Sequence, residues 1–416
     1  MAPTSAGGAA PVAPPAGGSA EAARAASAVA GFRAVHGGPP AGVWAAPGRV
    51  NLIGEHTDTS EGLVLPLALP HTTLAAASAR GDGLLRLDSA DVPGGVVELP
   101  VADVAPGAVT GWAAYPAGVL WAMRAAGLPV GGASLHFTSV VPTGAGLSSS
   151  AALEVATASA LNDLYGLGLD AERIAGLAQR AENDFVGVPC GIMDQMASAC
   201  CTAGHALYLD TRSLAHRHVP LDLAAHGLRL LVIDTRVTHA LGDGAYADRR
   251  AACERAAREL GVPTLRDVPY AALESALTTL AALADGPALC RRVRHVVTEN
   301  HRVEEVIALL DAGAVRAIGP LLTAGHASLR DDFEVSCPEL DLAVTTANAS
   351  GALGARMTGG GFGGSAISLV PEAAAEAITT AVTEAFAAAA YHPPRIFSAT
   401  PAPGAHRLPV DRAAPV

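Results

Sequence analysis

The sequence predicts an α+β protein in two parts, a mixed α/β first half and an α+β sandwich in the second. Three observations carry this. A length of 416 residues, at about 150 residues per domain, allows two to three domains. Apolar residues alternate as in strands before residue 140 and recur every three to four positions after Leu147. Beyond residue 228, strands and helices alternate in the manner of one sheet covered by helices. Half the residues are hydrophobic against 16% charged, a globular balance rather than a disordered one.

Residues 1–20, rich in Ala, Gly, Pro and Ser, read as a disordered tail. Glu21–His36 is an Ala-rich helix stopped by Gly37-Gly38-Pro39-Pro40, and a short strand, Val43–Ala45, then enters a glycine-punctuated loop. Leu63–Leu69, Thr73–Ser78, Leu84–Asp88 and Ala133–Thr138 are expected strands, Leu147–Tyr165 and Ala171–Asn183 helices. A strand at Ala206–Asp210 precedes a polar stretch, Thr211–His218, where the domain boundary is expected, dividing 21–212 from 213–416. The second part reads as strand Leu228–Asp234, helices Ala245–Leu260, Arg294–Asp311 and Leu340–Ala347, strands Ala355–Thr358 and Ser365–Val370, helix Pro371–Ala390 and strand Arg395–Ala399.

The net charge of −12, from 27 basic and 39 acidic residues, argues against nucleic-acid and anionic-membrane partners. All 27 basic residues are arginine, which removes Schiff-base chemistry, a lysine general base and the P-loop lysine together. Long uncharged stretches such as Ala125–Leu153 are broken by Pro129, Pro142 and glycines, so no membrane span is expected. The first residues have no secretory pattern. Six scattered cysteines without a CxxC pair suit a reducing cytoplasm. His216-Arg217-His218 and Asp331-Asp332 read as surface charge.

Three glycine-rich segments carry the chemistry. Pro142-Thr-Gly-Ala-Gly-Leu-Ser-Ser-Ser-Ala-Ala-Leu153 joins a strand to a long helix. Its glycines let the backbone approach an anion, and the helix start offers unpaired N–H groups and hydroxyls. Taken alone it is either a phosphate cradle or an ordinary helix cap, and without lysine it is not a Walker A loop. Five glycines between Thr358 and Ser365, where a plain hairpin needs one or two, leave two readings open: close approach to a ligand or another backbone, or an ordinary turn between strands. Finally, Pro47-Gly-Arg-Val-Asn-Leu-Ile-Gly-Glu-His-Thr-Asp58 gathers Arg, Glu, His and Asp as acceptors and donors that a polyhydroxylated ligand needs, although each of them alone reads as a solvated loop charge.

Taken in order, GRVNLIGEHTD, PTGAGLSSSAALEVA, CGIMDQM and MTGGGFGGSAISL resemble the motifs of the galactokinases, within the GHMP superfamily of small-molecule kinases. The resemblance runs from about Gly31 to Ser398, including Ala245–Gly261 and Ser328–Asp341. It implies a two-lobed GHMP-kinase fold, with a ferredoxin-like sandwich as the C-terminal domain and the active site between the lobes. It further implies transfer of the ATP γ-phosphoryl to the anomeric hydroxyl of α-D-galactose, the first committed step of galactose catabolism (Leloir pathway), by a monomer.

Position in the matched motifs makes Asp194 the catalytic aspartate and Arg49 the cation that steadies it. Sugar binding carries over to Glu55, His56, Thr57, Asp58, Gly191 and Tyr246, although a tyrosine there is also a natural core anchor. ATP phosphates carry over to Gly144, Ala145, Gly146, Leu147, Ser148, Ser149 and Ser150, and Mg2+ to Ser150 and Glu182, oxygen ligands suited to a hard cation. Trp112, in the stretch Trp112–Val119, resembles the family's aromatic segment near adenine, with core packing as the alternative. Where the family continues HTD with Tyr-Asn, this chain has Thr59-Ser60, so substrate breadth is open. A sister kinase for N-acetylgalactosamine or arabinose and a non-catalytic galactose sensor are the competing readings, the second disfavoured by an intact phosphate loop, Asp194 and Arg49.

Overall fold

The computed structural model describes residues 17–237 and 242–409. Most of the segment expected to be a tail therefore lies outside the described residues, and helix α1 (Gly17–His36) begins four residues earlier than expected. Strand β1 (Gly42–Asn51) does not stop at Ala45 but runs through Pro47-Gly48-Arg49. After β2 (Leu63–Val64) comes β3 (Pro66–Arg80), which fuses two expected strands across Pro70. The β1–β3 register explains both surprises: it shifts between Pro47 and Arg49, and Pro70 lies opposite that bulge, where no ladder hydrogen bond is required of it.

Strands β4 (Leu84–Ser89) and β5 (Val97–Pro100), helix α2 (Ala114–Ala125) and strand β6 (Gly132–Ser139) follow. Helix α2 was not expected, because Pro116 and Gly118 look like breakers. Pro116 sits in the first turn, where its missing N–H is not needed, and Gly118 allows close packing, since a Cβ there would lie 3.1 Å from Phe185. Next come α3 (Ser149–Leu164), α4 (Ala171–Arg180), α5 (Met193–Cys200), β7 (His205–Asp210) and β8 (His216–Pro220). Asp170 caps α4 by accepting the Arg173 N–H at 2.7 Å, and α4 runs on through a π-helical turn, Ala181–Val186. Helix α3 buries both its flanks, and its alanines, among them Ala151, Ala152, Ala156, Ala158 and Ala160, permit that close packing.

The second part opens with β9 (Leu228–Asp234) and helices α6 (Gly242–Leu260), α7 (Leu273–Ala281), α8 (Gly286–Asp311), α9 (Gly319–Ser328) and α10 (Pro338–Ala349). Strands β10 (Gly354–Thr358) and β11 (Ser365–Pro371), helix α11 (Ala375–Ala388) and strands β12 (Arg395–Ala399) and β13 (His406–Leu408) complete it.

The first sheet has order β13-β1-β3-β6-β4-β5, with β4 parallel to β6 and the other pairs antiparallel. The second, β10-β11-β9-β12, is antiparallel throughout, and with its β-α-β-β-α-β sequence of elements it is a ferredoxin-like sandwich. A small third sheet, β2-β7-β8, bridges the two. Two features complicate a division at residues 212 and 213: the polar stretch expected as the boundary contains the start of β8, and β13 returns to pair with β1. The lobes also share a core in which Val50, Leu52, Leu65, Leu67 and Leu147 of the first pack with Leu230, Val232, Val303, Ile367 and Phe397 of the second.

Candidate active site

A cavity of about 750 Å³ opens between the lobes, lined by Arg49, Glu55, His56, Asp58, Glu182, Gly191, Asp194 and Tyr246 together with the Gly359–Phe362 loop and Val186–Cys190. The β1 bulge aims Arg49 at it. Because Gly48 has no Cβ, the carbonyl of Leu147 can approach to where a Cβ would sit within 2.5 Å, and the Arg49 N–H donates to that carbonyl at 3.1 Å. The sparsely exposed guanidinium then divides its donors: Nε and Nη2 reach Asp194 Oδ1 at 2.9 and 2.7 Å, and Nη1 donates to the Gly146 carbonyl at 2.7 Å. One side chain thereby locks the aspartate at the start of α5 to the glycine loop before α3.

The other Asp194 oxygen accepts the Ser148 hydroxyl at 2.6 Å. Ser148 is the residue before α3, yet its hydroxyl does not cap the helix, and its backbone is left-handed at φ 60°. A non-glycine residue there is strained. The strain accompanies a hydroxyl turned from the helix toward a carboxylate. This contact was not foreseen, since Ser148 was expected only as a phosphate ligand. In the loop, Ala145 and Leu147 point into the core while Gly144 and Gly146 are exposed with φ of 73° and 69°, so the open face is backbone.

The Gly359–Gly364 loop makes close approaches to other backbone, more than an ordinary turn between strands requires. A Cβ on Gly359 would lie 2.4 Å from the Gly146 carbonyl, one on Gly361 2.3 Å from the Val335 carbonyl, and one on Gly363 2.4 Å from the Val237 carbonyl. Ser365 Oγ donates to the Ala145 carbonyl at 2.7 Å. Gly360 has open space and lines the cavity.

Burial shapes the expected sugar residues. Glu55 accepts Asn51 Nδ2 at 2.8 Å and the Gly359 N–H at 2.5 Å, and desolvation raises its pKa to about 7 despite Arg356 and Arg49. Asp58 is raised to about 6, by burial first and then by the nearby Asp194 charge. His56 is lowered to about 3 by burial and the adjacent His295, so it is a neutral imidazole, and its Nε2 is buried without a protein hydrogen-bond partner among the described residues. Tyr246 lies over it, with ring centroids 5.5 Å apart, and burial holds the phenol well above its ordinary pKa. Gly191 is needed because a Cβ there would fall 1.9 Å from Asp58 Oδ2.

Two expected site residues, one for the sugar and one for adenine, lie outside the cavity lining. Thr57 does not line the cavity: its hydroxyl is turned to the carbonyls of Gly54 and Leu63 at 2.9 and 2.7 Å, closing the turn. Trp112 also lies outside the cavity lining and packs edge-on against Phe137, centroids 5.9 Å apart. Thr59 and Ser60, the departure from the family pattern, are likewise absent from the lining; Ser60 is buried and contacts Cys253 of α6. Ser150 and Glu182 do come together through a side-chain hydrogen bond. Gln195 Nε2 bridges Glu182 at 2.6 Å and Glu154 at 3.2 Å, and the second Glu154 oxygen is buried and unpartnered among the described residues. Two buried carboxylates, with no cation against them among the described residues and a hydroxyl and the glycine loop beside them, are oxygen donors of the kind a hard divalent ion takes.

A left-handed serine and an arginine clamped on one aspartate, beside a glycine loop opening a helix, over a ferredoxin-like sandwich, define a small-molecule kinase of the GHMP class. The chain matches the GHMP kinases N terminal domain over residues 114–202, the GHMP kinases C terminal domain over 306–388 and the galactokinase galactose-binding signature over 30–79. It is 63% identical to a galactokinase of Streptomyces coelicolor, covering 91% of this chain and 97% of that one, and 46% identical to one of Mycobacterium tuberculosis, covering 87% and 98%. The solved structure of Lactococcus lactis galactokinase complexed with galactose superposes with a TM-score of 0.87 at 32% identity, covering 92% of this chain and 99% of that one. A mevalonate kinase at 18% identity, TM-score 0.62, covering 86% and 98%, shares the fold. The chain belongs to the galactokinase family, and its activity is that of a kinase.

Proposed function

We propose that the protein transfers the γ-phosphoryl group of ATP to the anomeric hydroxyl of α-D-galactose, giving galactose 1-phosphate and ADP. The observation that carries the residue roles is the Arg49–Asp194–Ser148 constellation, where one carboxylate is held by two partners at the junction of cavity and glycine loop. Asp194 takes the proton of the attacking hydroxyl, and Arg49 fixes its orientation and offers a permanent cation to developing phosphate charge. The unpartnered His56 Nε2, with Asp58, Glu55 and Tyr246, supplies the acceptors and donors for the sugar hydroxyls. Exposed backbone at Gly144 and Gly146 and the start of α3 cradle the phosphates. Ser150 and Glu182 would hold Mg2+, which neutralises phosphate charge when bound. Trp112, outside the cavity lining, would contact adenine only from beyond it.

ADP release from Mg-ATP with galactose, N-acetylgalactosamine, glucose and arabinose tests this reading. Turnover with galactose in preference to the others supports it; galactose raising the melting temperature without turnover would replace it with the sensor reading. Because Thr59 and Ser60 do not line the cavity, the altered HTD motif is not expected to broaden the sugar range. We further propose cytoplasmic residence, supported by six unpaired cysteines, and action as a monomer, as the family resemblance implies. No helix among the described residues is long and apolar enough to cross a membrane.

Two expected results follow from the electrostatics. Raised carboxyl pKa values mean that Glu55 and Asp58 lose their charge as pH falls through about 7 and then about 6. The galactose KM, measured at saturating Mg-ATP, should therefore rise between pH 7.5 and 5.5, with kcat changing less; a flat KM over that range contradicts their role as ionised acceptors. Glu182→Gln should raise the half-saturating Mg2+ concentration by roughly tenfold or more; an unchanged Mg2+ titration would remove Glu182 from the metal site.

A further inference from the structure

Arg356 on β10 is fully buried and does not line the cavity. A guanidinium so placed is costly unless its charge is answered. Its Nη2 lies 3.2 Å from Glu55 Oε2 and 3.2 Å from Glu299 Oε1, while Nη1 donates to the Leu52 carbonyl at 3.0 Å. The Nη2 contacts are ionic rather than aligned hydrogen bonds, so charge rather than fork geometry is what they supply.

Glu299, on α8, is also fully buried and absent from the lining. Its Oε1 accepts the backbone N–H groups of Gly54 at 3.0 Å and Glu55 at 3.3 Å, and its Oε2 accepts Arg302 Nε at 2.7 Å. His295 Nε2 lies 3.1 Å from the Glu55 carbonyl. These anchors meet a turn of unusual backbone, with Gly54 at φ 96° and His56 at φ 60°, which presents Glu55 and His56 to the cavity. Non-glycine residues in that region persist where their surroundings over-determine them.

We propose that Arg356 and Glu299 are positioning residues for sugar binding: Arg356 holds the Glu55 carboxylate at the cavity wall, and Glu299 clamps the Gly54–Glu55 backbone that presents it. This rests on the cavity being the galactose site and deepens that reading. The groups facing Glu55 are Arg356 from β10, Arg49 and Asn51 from β1, and the Gly359 N–H; His56, His295, Glu299 and Arg302 surround the Arg356–Glu299 side of the network. Burial already favours the protonated form of Glu55, and Arg356 is foremost among the groups opposing it. Without that cation the carboxyl holds its proton to higher pH still, and at neutrality it ceases to be an anionic acceptor.

The test is steady-state kinetics of the full chain with Mg-ATP and galactose, beside melting temperatures. Arg356→Met should raise the galactose KM at pH 7 by roughly tenfold or more, hold kcat within about threefold, and recover part of the lost affinity as pH rises from 7 to 9. Arg356→Lys, which keeps the charge, should restore KM to within about threefold of the parent. In a Glu55→Gln background, Arg356→Met should add less than about twofold, because the carboxylate it serves is gone. Glu299 keeps Arg302 in these variants, which favours folding; should Arg356→Met fail to fold, the Glu55→Gln background and Glu299→Gln decide, the latter expected to raise KM about fivefold at constant kcat. An unchanged KM, a loss confined to kcat, equal damage from Met and Lys, or full additivity with Glu55→Gln overturns the proposal. If the parent protein does not phosphorylate galactose at all, the underlying reading fails; if it does and these variants keep its KM, only this inference fails.

Discussion

Asp194→Asn is expected to lower kcat by roughly 10²–10⁴-fold, the range supplied by a positioned general base. The substitution keeps the shape of the side chain and its place at the start of α5: its one oxygen can still accept from Arg49, while the amide NH2 takes the place facing the Ser148 hydroxyl, which then accepts instead of donating. What disappears is the negative charge and the ability to accept the hydroxyl proton. The galactose KM should move by no more than a few-fold, because Asp58, Glu55 and His56 form the rest of the sugar wall. Parallel measurement of kcat, KM and melting temperature checks this. A loss under tenfold would mean that Asp194 orients the hydroxyl while the proton leaves by another route.

Gly359→Ala should be among the most damaging single-methyl changes near the site. Its Cβ would sit 2.4 Å from the Gly146 carbonyl oxygen at a backbone φ of 83°. The obstacle is main chain on both sides, so no side chain can rotate away. Overpacking costs about 1–3 kcal/mol, and the left-handed conformation adds about 1–2 kcal/mol for a residue with a Cβ, so about 2–5 kcal/mol is expected in denaturant unfolding. The same push displaces Gly146, the partner of Arg49 Nη1, so activity should fall further than stability explains. Gly360→Ala is the matched control, since that position has open space; equal losses from both would show that the backbone contact is not the cause.

Most of the site was legible because its residues lie in short contiguous motifs: Arg49 to Asp58, Gly144 to Ser150, and Gly191 to Asp194 are each set within a few positions by local geometry. What escaped was what tertiary structure decides. Thr57 has the same polarity as its neighbours in GEHTD, and only the closed turn shows its hydroxyl consumed by Gly54 and Leu63. Arg356 and Glu299 come from distant segments, and nothing local tells a fully buried charge from a solvated one. Asn51 and Gln195 sat inside recognised motifs without being singled out, although an amide beside a future buried carboxylate was an available clue. In the fold, strands Leu228–Asp234 and Arg395–Ala399 match the expected limits; the apolar run Leu230–Ile233 marks the first as a buried strand, whereas the second is a partly exposed edge strand. The strand continuing through Pro47-Gly48 was misread as a loop, since a bulge tolerates the residues that ordinarily end a ladder.

The return of β13 to β1 has a consequence for how the chain assembles during synthesis. Until residues 406–408 emerge, β1 presents one row of free N–H and C=O groups to solvent, although all ten of its residues are destined for burial. An apolar, unpaired strand edge of this kind invites pairing with other chains. The first lobe therefore waits on residues 406–408 to seal its own margin, and nascent chains arrested short of that point carry an adhesive border that the folded protein hides.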